Sequence, residues 1–368
     1  MNKTKVALIA LLISLSLCFT AFSPRFMGVN AYFQSFTIYA DGRAYKIYPP
    51  QLYYGLNGLD FLDKEGVIDR IVADSLIKPK DATITFNPNE EKLFSFTVEE
   101  SGRVINRDKL LAKIEYALLS GKNEIFIKSE PINALTTLSK LKKQTNLRAE
   151  YTTLYPYSSQ ERKNNIALAV SFINGCVIND GEVFSFNQRV GLRSEERGFL
   201  PAKVILEGKF ADGVGGGVCQ VSTTLYNAAL LAGLSIEECH RHSLRVDYVP
   251  PSFDAMVSDY VSDLKIKNDS GAPVYIRALC DGERLTFQIY GLSPAYRYEL
   301  YSEVIEVKEA KSEILPKISG EEKDIHPKNG LISEGYLCVY EGEKLIEKRK
   351  IRRDEYNALD GVFYVEKQ

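Results

Sequence analysis

Gly213-Val214-Gly215-Gly216-Gly217-Val218-Cys219-Gln220-Val221-Ser222-Thr223-Thr224-Leu225-Tyr226 is the stretch around which the rest of the chain is read. Glycine loses more backbone freedom on folding than any other residue. A run of it is therefore kept where the chain must take positive φ or approach something closely. Directly after the run, Val221, Leu225, Ala228, Ala229 and Ala232 recur at helical spacing and Gly233 stands where a left-handed cap is expected, which predicts a helix over 219–232. The glycines thus deliver Cys219 to the first turn of a helix. Unpaired N–H groups and a partial positive charge there favour thiolate over thiol, and thiolate is the nucleophile. The same N–H groups, with those of Gly215, Gly216 and Gly217, form a candidate oxyanion site, to which the Gln220 side chain can add a donor. Ser222 and Thr223 lie in the same turn as further hydroxyls for substrate or as alternative nucleophiles.

Outward from this helix the pattern changes. C-terminal to it, Leu244, Val246 and Tyr248 alternate with Arg245 and Asp247, which predicts a strand closed by Pro250-Pro251. Further extended segments follow at 255–257, 264–267, 274–280 and 284–290, the last two joined by a Cys280-Asp281-Gly282 hairpin signal. N-terminal to it, residues 159–173 read as a helix ended by Asn174-Gly175, and 178–187 as a turn and strand. Residues 202–206 read as another strand, and 208–217 as a glycine-rich loop. The expected fold class is α+β, a Cys-bearing helix packed on an antiparallel sheet.

At 368 residues the chain is long enough for several domains. Residues 26–150 mix short strands with helices at 63–77 and 107–120, a small α+β domain. Residues 151–293 hold the glycine–cysteine block. Residues 294–368 are charge-dense and extended, with a hairpin at Glu341-Gly342, an all-β appendage. Lys3 and Lys5 precede an apolar run from Val6 to Phe22. That pattern is a secretory signal or a short N-terminal membrane anchor within residues 1–25, and Pro24 after Ala21-Phe22-Ser23 weakens a cleavage site and favours the anchor. Either way the remainder is expected outside the cytoplasm, held at the membrane or released to the cell wall. The formal net charge of -2 provides no global field for nucleic acid.

A cysteine nucleophile needs a base within hydrogen-bond reach. The chain has three histidines, and His326 falls in the C-terminal appendage. His240 and His242, two apart at the start of the expected strand, are the two imidazoles left to serve Cys219. Asp247, Asp254 and Asp263 are the nearby carboxylates that could orient an imidazole. Cysteine spacings match no zinc pattern, and neither a metal nor another cofactor is expected. Five cysteines lie beyond the apolar run, an odd number that leaves at least one thiol unpaired within the chain.

Phe184-Ser185-Phe186-Asn187, Gly215 to Tyr226, His242-Ser243, Tyr248-Val249-Pro250 and Asp254-Ala255-Met256-Val257 resemble the signature of the VanW family, over roughly residues 153–291. Asp180-Gly181 stands where the family usually has proline-glycine, and Met256 where it usually has threonine. Residues 82–155 resemble the peptidoglycan-binding domain that often precedes VanW domains in exported bacterial proteins. The C-terminal unit resembles, more loosely, the G-five domain that follows them. The family takes its name from glycopeptide-resistance gene clusters, and some members have been linked to L,D-transpeptidation of peptidoglycan through the motif cysteine. The resemblance therefore implies Cys219 as nucleophile, His242 as base and Asp254, within the matching block, as its orienter. Gly215, Gly216, Gly217, Gln220, Ser222, Thr223 and Tyr248 would line the substrate site, and peptidoglycan stem peptides would be the partner. The other expectations are a non-catalytic wall-binding protein, or a cysteine peptidase or amidase of wall peptides sharing the same site.

Overall fold

The computed structural model describes residues 34–56, 58–206, 209–317 and 324–365. The expected signal or anchor lies outside the described residues. No helix among the described residues is long and apolar enough to cross a membrane. The chain divides into two compact units, one from residues up to 81 together with 99–135, the other from 82–98 together with 136 onward.

In the first unit, Phe36–Ala40 pairs antiparallel with Arg43–Ile47 through the Asp41-Gly42 turn and parallel with Glu124–Ile127. Two helices, α1 (Lys64–Ser75) and α2 (Arg107–Leu119), cover this sheet. Phe36, Ile38, Phe61, Ile68, Ile71, Leu110 and Ile114 form its core. Asn106 caps α2 by accepting the Lys109 N–H at 3.0 Å.

The second unit begins with the hairpin Ile84–Phe86 and Phe94–Phe96, whose sequence position suggested the N-terminal domain. Phe86 and Phe94 pack edge-on against Tyr275. Helices α3 (Leu138–Lys143), α4 (Gln160–Ile173), α5 (Phe186–Val190) and α6 (Val218–Leu231) follow in order. The main sheet is antiparallel in the order Asn146–Leu154, Arg284–Gly291, Val274–Cys280, Val177–Ile178. Alternate residues Leu285, Phe287 and Ile289 face inward against Val221, Leu225, Ala228 and Ala229 of α6. A helix apolar or small on every side has to be buried, and α6 runs through the middle of this core. It ends in a Schellman motif: Leu234 N–H bonds Ala229 O and Gly233 N–H bonds Leu230 O, both at 3.0 Å, with Gly233 at φ 72°. Arg148 adds a guanidinium on Ala232 O at 2.7 Å.

The C-terminal strands Arg297–Lys308, Gly330–Glu341 and Lys344–Tyr356 form a second antiparallel sheet. It does not stand apart. Leu337 belongs to the same core as α6, and Tyr298, Leu300 and Ile351 pack on it. Ser312–Pro316 and Gly361–Val365 add a parallel pair.

Two expectations fail locally. Residues 208–217 are not all loop, because Lys209–Val214 pairs with Pro201–Leu206 as a ribbon. Gly213 permits the close approach, since a Cβ there would meet Val204 Cγ2 at 2.9 Å. Residues 244–248 are not a strand. Their alternation is real, with Leu244 buried, but no neighbouring strand pairs with them. Side chains and single backbone bonds hold the segment instead, such as Asn357 N–H to Ser243 O at 2.8 Å.

Candidate active site

Residues 215–217 set the direction of α6. Gly215 and Gly217 have φ of 86° and 107°, which L-residues with a Cβ rarely adopt. A Cβ on Gly216 would meet Lys203 O at 2.7 Å. The amide N–H groups of Val218 and Gln220 turn back onto Gly215 O and Gly217 O. Among the described residues the N–H groups of Gly216, Gly217 and Cys219 have no acceptor, so they are donors of this turn left for an oxyanion.

Cys219 lies at the floor of a cavity of about 490 Å³, lined also by Gly215, Gly216, Gly217, Gln220, His242 and Tyr248. As a thiol it donates to Val257 O at 3.3 Å. Burial pushes this thiol up, but the bond and charge of His242, aided by Arg193, outweigh burial and hold it below an ordinary cysteine. The other thiols behave oppositely. Burial raises Cys176 and Cys280, and pushes Cys239 up to about 12. All five cysteines among the described residues are free.

His242 is 5% exposed. Its Nδ1 meets Asp254 Oδ2 at 2.7 Å, and its backbone N–H donates to the same oxygen at 2.7 Å. Burial opposes protonation of this ring, but Asp254 and Cys219 together push it up to about 9. With Nδ1 held by the carboxylate, Nε2 is the nitrogen left for the sulfur. Cys219 and His242 thus favour a thiolate–imidazolium pair.

Asp254 is 1% exposed and fully engaged. Its Oδ1 accepts from Arg352 Nη2 at 2.7 Å and from the Tyr356 hydroxyl at 2.6 Å. Burial opposes ionisation, but His242, Arg352 and Tyr356 outweigh it and pull the carboxyl down to about 2. Arg352 also donates to Asp254 O and to Ser252 O, pairs with Asp354 and lies 5.7 Å from the Tyr226 ring. Neither Arg352 nor Tyr356 was found from the sequence, since both sit in the charge-dense strand Lys344–Tyr356. The available signal was their period-two spacing with Asp354, which puts all three on one strand face.

The remaining expected residues separate cleanly. Asp247 lies on the cavity rim, paired with Lys328 at 2.7 Å. Asp263 accepts from Ser185 Oγ at 2.5 Å and from Asn187 N–H at 2.8 Å. Neither touches an imidazole. His240 faces outward onto Glu238 at 2.9 Å, and His326 lies edge-on to Phe363. Ser222 and Thr223 do not line the cavity. Both are fully buried and fasten the neighbouring segment: Ser222 Oγ donates to Ala255 O at 2.6 Å, and Thr223 Oγ1 accepts the Ala255 N–H at 2.9 Å. They position Asp254 from the adjoining residue rather than meeting a ligand. Gln220 lines the cavity, but its amide NH₂ is spent on Thr153 Oγ1 and Leu154 O. Its Oε1 accepts from Arg162 at 2.7 Å. Among the described residues no group of three or more His, Cys, Asp or Glu side chains is set to hold a metal ion.

The family model described as "VanW like protein" matches residues 161–290. Those residues are a VanW-family domain. An uncharacterized protein, YoaR, of Bacillus subtilis strain 168 is 40% identical over 146 residues, covering 40% of this chain and 48% of its own. The vancomycin B-type resistance protein VanW of Enterococcus faecalis strain ATCC 700802 / V583 is 30% identical over 131 residues, covering 34% of this chain and 48% of its own. The chain thus matches about half the length of these curated relatives. No solved structure matches it. The VanW domain contains Cys219, His242 and Asp254, whereas Arg352 and Tyr356 lie beyond its matched end.

Proposed function

We propose that this chain is an extracytoplasmic cell-wall protein that acts on peptidoglycan stem peptides by L,D-transpeptidase-type acyl transfer. Its N-terminal segment serves as a membrane anchor. The likeness to a vancomycin B-type resistance protein supports a cell-wall role. The observation that carries it is the Cys219–His242–Asp254 line, a partly exposed thiol lowered by a buried imidazole that a buried carboxylate orients.

The Cys219 thiolate attacks the carbonyl carbon of the third stem residue. A C–S bond forms, the Cys219 N–H receives the oxyanion, and His242 gives its proton to the departing D-Ala nitrogen as the C–N bond breaks. The side-chain amine of a second stem then attacks the thioester, returns a proton to His242 and releases the thiolate. Such 3-3 links need no D-Ala-D-Ala terminus, the group that glycopeptides bind.

Incubation of purified muropeptides with the wild-type chain and with Cys219→Ala, followed by mass spectrometry, tests this. Cross-linked dimers formed by the wild type and absent with the variant are expected. Trimming of monomers without dimers would replace transfer by hydrolysis. No Cys219-dependent change would leave wall binding as the activity.

A further inference from the structure

The cavity over Cys219 is rich in cations. Arg162, Arg193, Lys203, Arg245 and Lys328 line it, against the carboxylates of Asp247 and Asp259. Four of the five have an acidic partner. Arg193 pairs with Asp259, and Lys203 with Asp212 at 3.0 Å. Arg245 and Lys328 share Asp247. Arg162 differs. Its guanidinium donates to Ser158 Oγ and to Gln220 Oε1, both at 2.7 Å and both neutral. Among the described residues it has no carboxylate partner.

This position is built rather than incidental. Arg162 lies in the first turn of α4, and its Cγ would stand 2.9 Å from a Cβ placed on Gly217, the residue that starts α6. Only a glycine at 217 lets the arginine stem pass beneath the turn that presents Cys219. Gln220, the next residue after the nucleophile, clamps one arm of the fork. Two of the five guanidinium N–H groups are thereby used, and three are left. Burial pulls Arg162 down, and the groups whose charge supports it are Tyr248, Cys219 and Tyr155. A half-buried guanidinium that lines the cavity with free N–H groups and no carboxylate partner is placed to take one from a ligand. Arg245, a second arginine of the cavity lining, pairs with Asp247 but keeps a buried Nε with no partner among the described residues.

We propose that Arg162 is a carboxylate-binding subsite beside Cys219, and that the acyl donor is a peptide with a free C-terminal carboxylate one residue past the bond that is broken. This rests on the acyl-transfer reading for its substrate, but the anion subsite stands on the cavity alone. An Arg fork matches a carboxylate in two parallel bonds and fixes its orientation. The carboxylate held there would fix the register of the scissile carbonyl over the sulfur. It would also exclude peptides extended at the C-terminus or capped as amides, in which that charge is missing. On cleavage the leaving amino acid retains the carboxylate, and its amine takes the proton from His242.

Alkylation of Cys219 by iodoacetate and by iodoacetamide separates charge from shape, because the two reagents differ chiefly by a carboxylate. The full chain is treated with each, and modification of Cys219 is followed by peptide mass spectrometry. The iodoacetate-to-iodoacetamide rate ratio is expected to exceed that of the urea-unfolded chain by about tenfold, the scale of one charge-assisted bond. Arg162→Gln should return the ratio to the unfolded value, while Arg162→Lys should keep part of the gain. N-acetyl-D-alanine should slow iodoacetamide alkylation of the wild type, and its C-terminal amide should not. That arm requires no variant and stands even where Arg162→Gln folds poorly. An equal ratio in wild type and Arg162→Gln, or equal protection by acid and amide, overturns the subsite. Preserved anion preference with no muropeptide dimers would sink transfer and leave the subsite intact.

Discussion

The reactivity of this chain is concentrated in one side chain whose thiol moves against its burial. Cys176, Cys239 and Cys280 are raised by desolvation, as buried cysteines should be, whereas Cys219 is lowered. The difference is His242, which carries its proton up to about 9. Iodoacetamide should therefore modify Cys219 well below the pH of about 8.5 at which an ordinary thiol half-ionises. In Asp254→Asn the imidazole loses its anionic partner, and the alkylation profile should move up toward the ordinary thiol value. A profile unchanged by this substitution would remove Asp254 from the line. The same groups bear on stability. His242 is raised on folding, so its contribution is complete below the unfolded value of about 6.5 and is lost as pH rises through about 9. Asp254 is depressed, so its contribution is present above the unfolded value of about 4 and is lost as pH falls toward about 2. The melting temperature measured against pH should hold between these limits and fall on both sides.

The helix α6 has to satisfy two demands at once: burial on nearly every side and exposure of its first turn. The sequence meets them with different residues. Ala228, Ala229, Val221 and Leu225 fill the core, while Ser222, Thr223, Thr224 and Asn227 turn their polar groups onto adjacent backbone and side chains. Gly217 is where the two demands meet, at φ 107° and with Arg162 and Ile166 against its vacant Cβ position. Gly217→Ala should destabilise the fold by about 1–3 kcal/mol, the range for a residue forced into a sparsely populated backbone region. It should also slow Cys219 alkylation, both read by chemical denaturation and mass spectrometry. A stable, fully reactive variant would show that the turn tolerates a Cβ. This element was legible in the sequence because glycine, cysteine and small residues leave few other arrangements. The strand expected at 244–248 was not, because alternation reports which side chains face inward and not whether a neighbour exists to bond the backbone. His242 reached the site all the same, held through its own N–H by Asp254. Ser222 and Thr223 misled for the converse reason: a hydroxyl beside a nucleophile looks the same in sequence whether it faces substrate or backbone.

Across the second unit, the C-terminal sheet supplies what the VanW domain lacks for its own buried carboxylate. The strand 344–356 falls in the charge-dense appendage, yet Arg352, Asp354 and Tyr356 turn inward on alternate positions, so that Arg352 and Tyr356 bond Asp254 and Asp354 pairs with Arg352. Between them lies Ser252 at φ 64°, a non-glycine residue in the left-handed region. It is fixed by Tyr356 on its N–H, Ser333 on its hydroxyl and Arg352 on its carbonyl. Such a conformation persists only where its surroundings over-determine it, and here all three supports come from the C-terminal strands. Arg352 and Tyr356 are thus positioning residues for the Asp254–His242 pair. Tyr356→Phe removes one acceptor from Ser252 and one donor from Asp254, and should lower stability by about 1–3 kcal/mol, the scale of buried polar groups left unsatisfied. Arg352→Leu leaves a buried carboxylate short of its cation and should lower it by about 3–5 kcal/mol. A purely structural role would stop at stability. A role in positioning requires that, in Tyr356→Phe held under conditions where it is fully folded, the pH profile of Cys219 alkylation also shifts, because Asp254 then binds its proton more readily and supports the imidazolium less. Loss of stability with an unmoved profile would confine the C-terminal sheet to scaffolding, and leave Cys219, His242 and Asp254 as a self-sufficient line within the VanW domain.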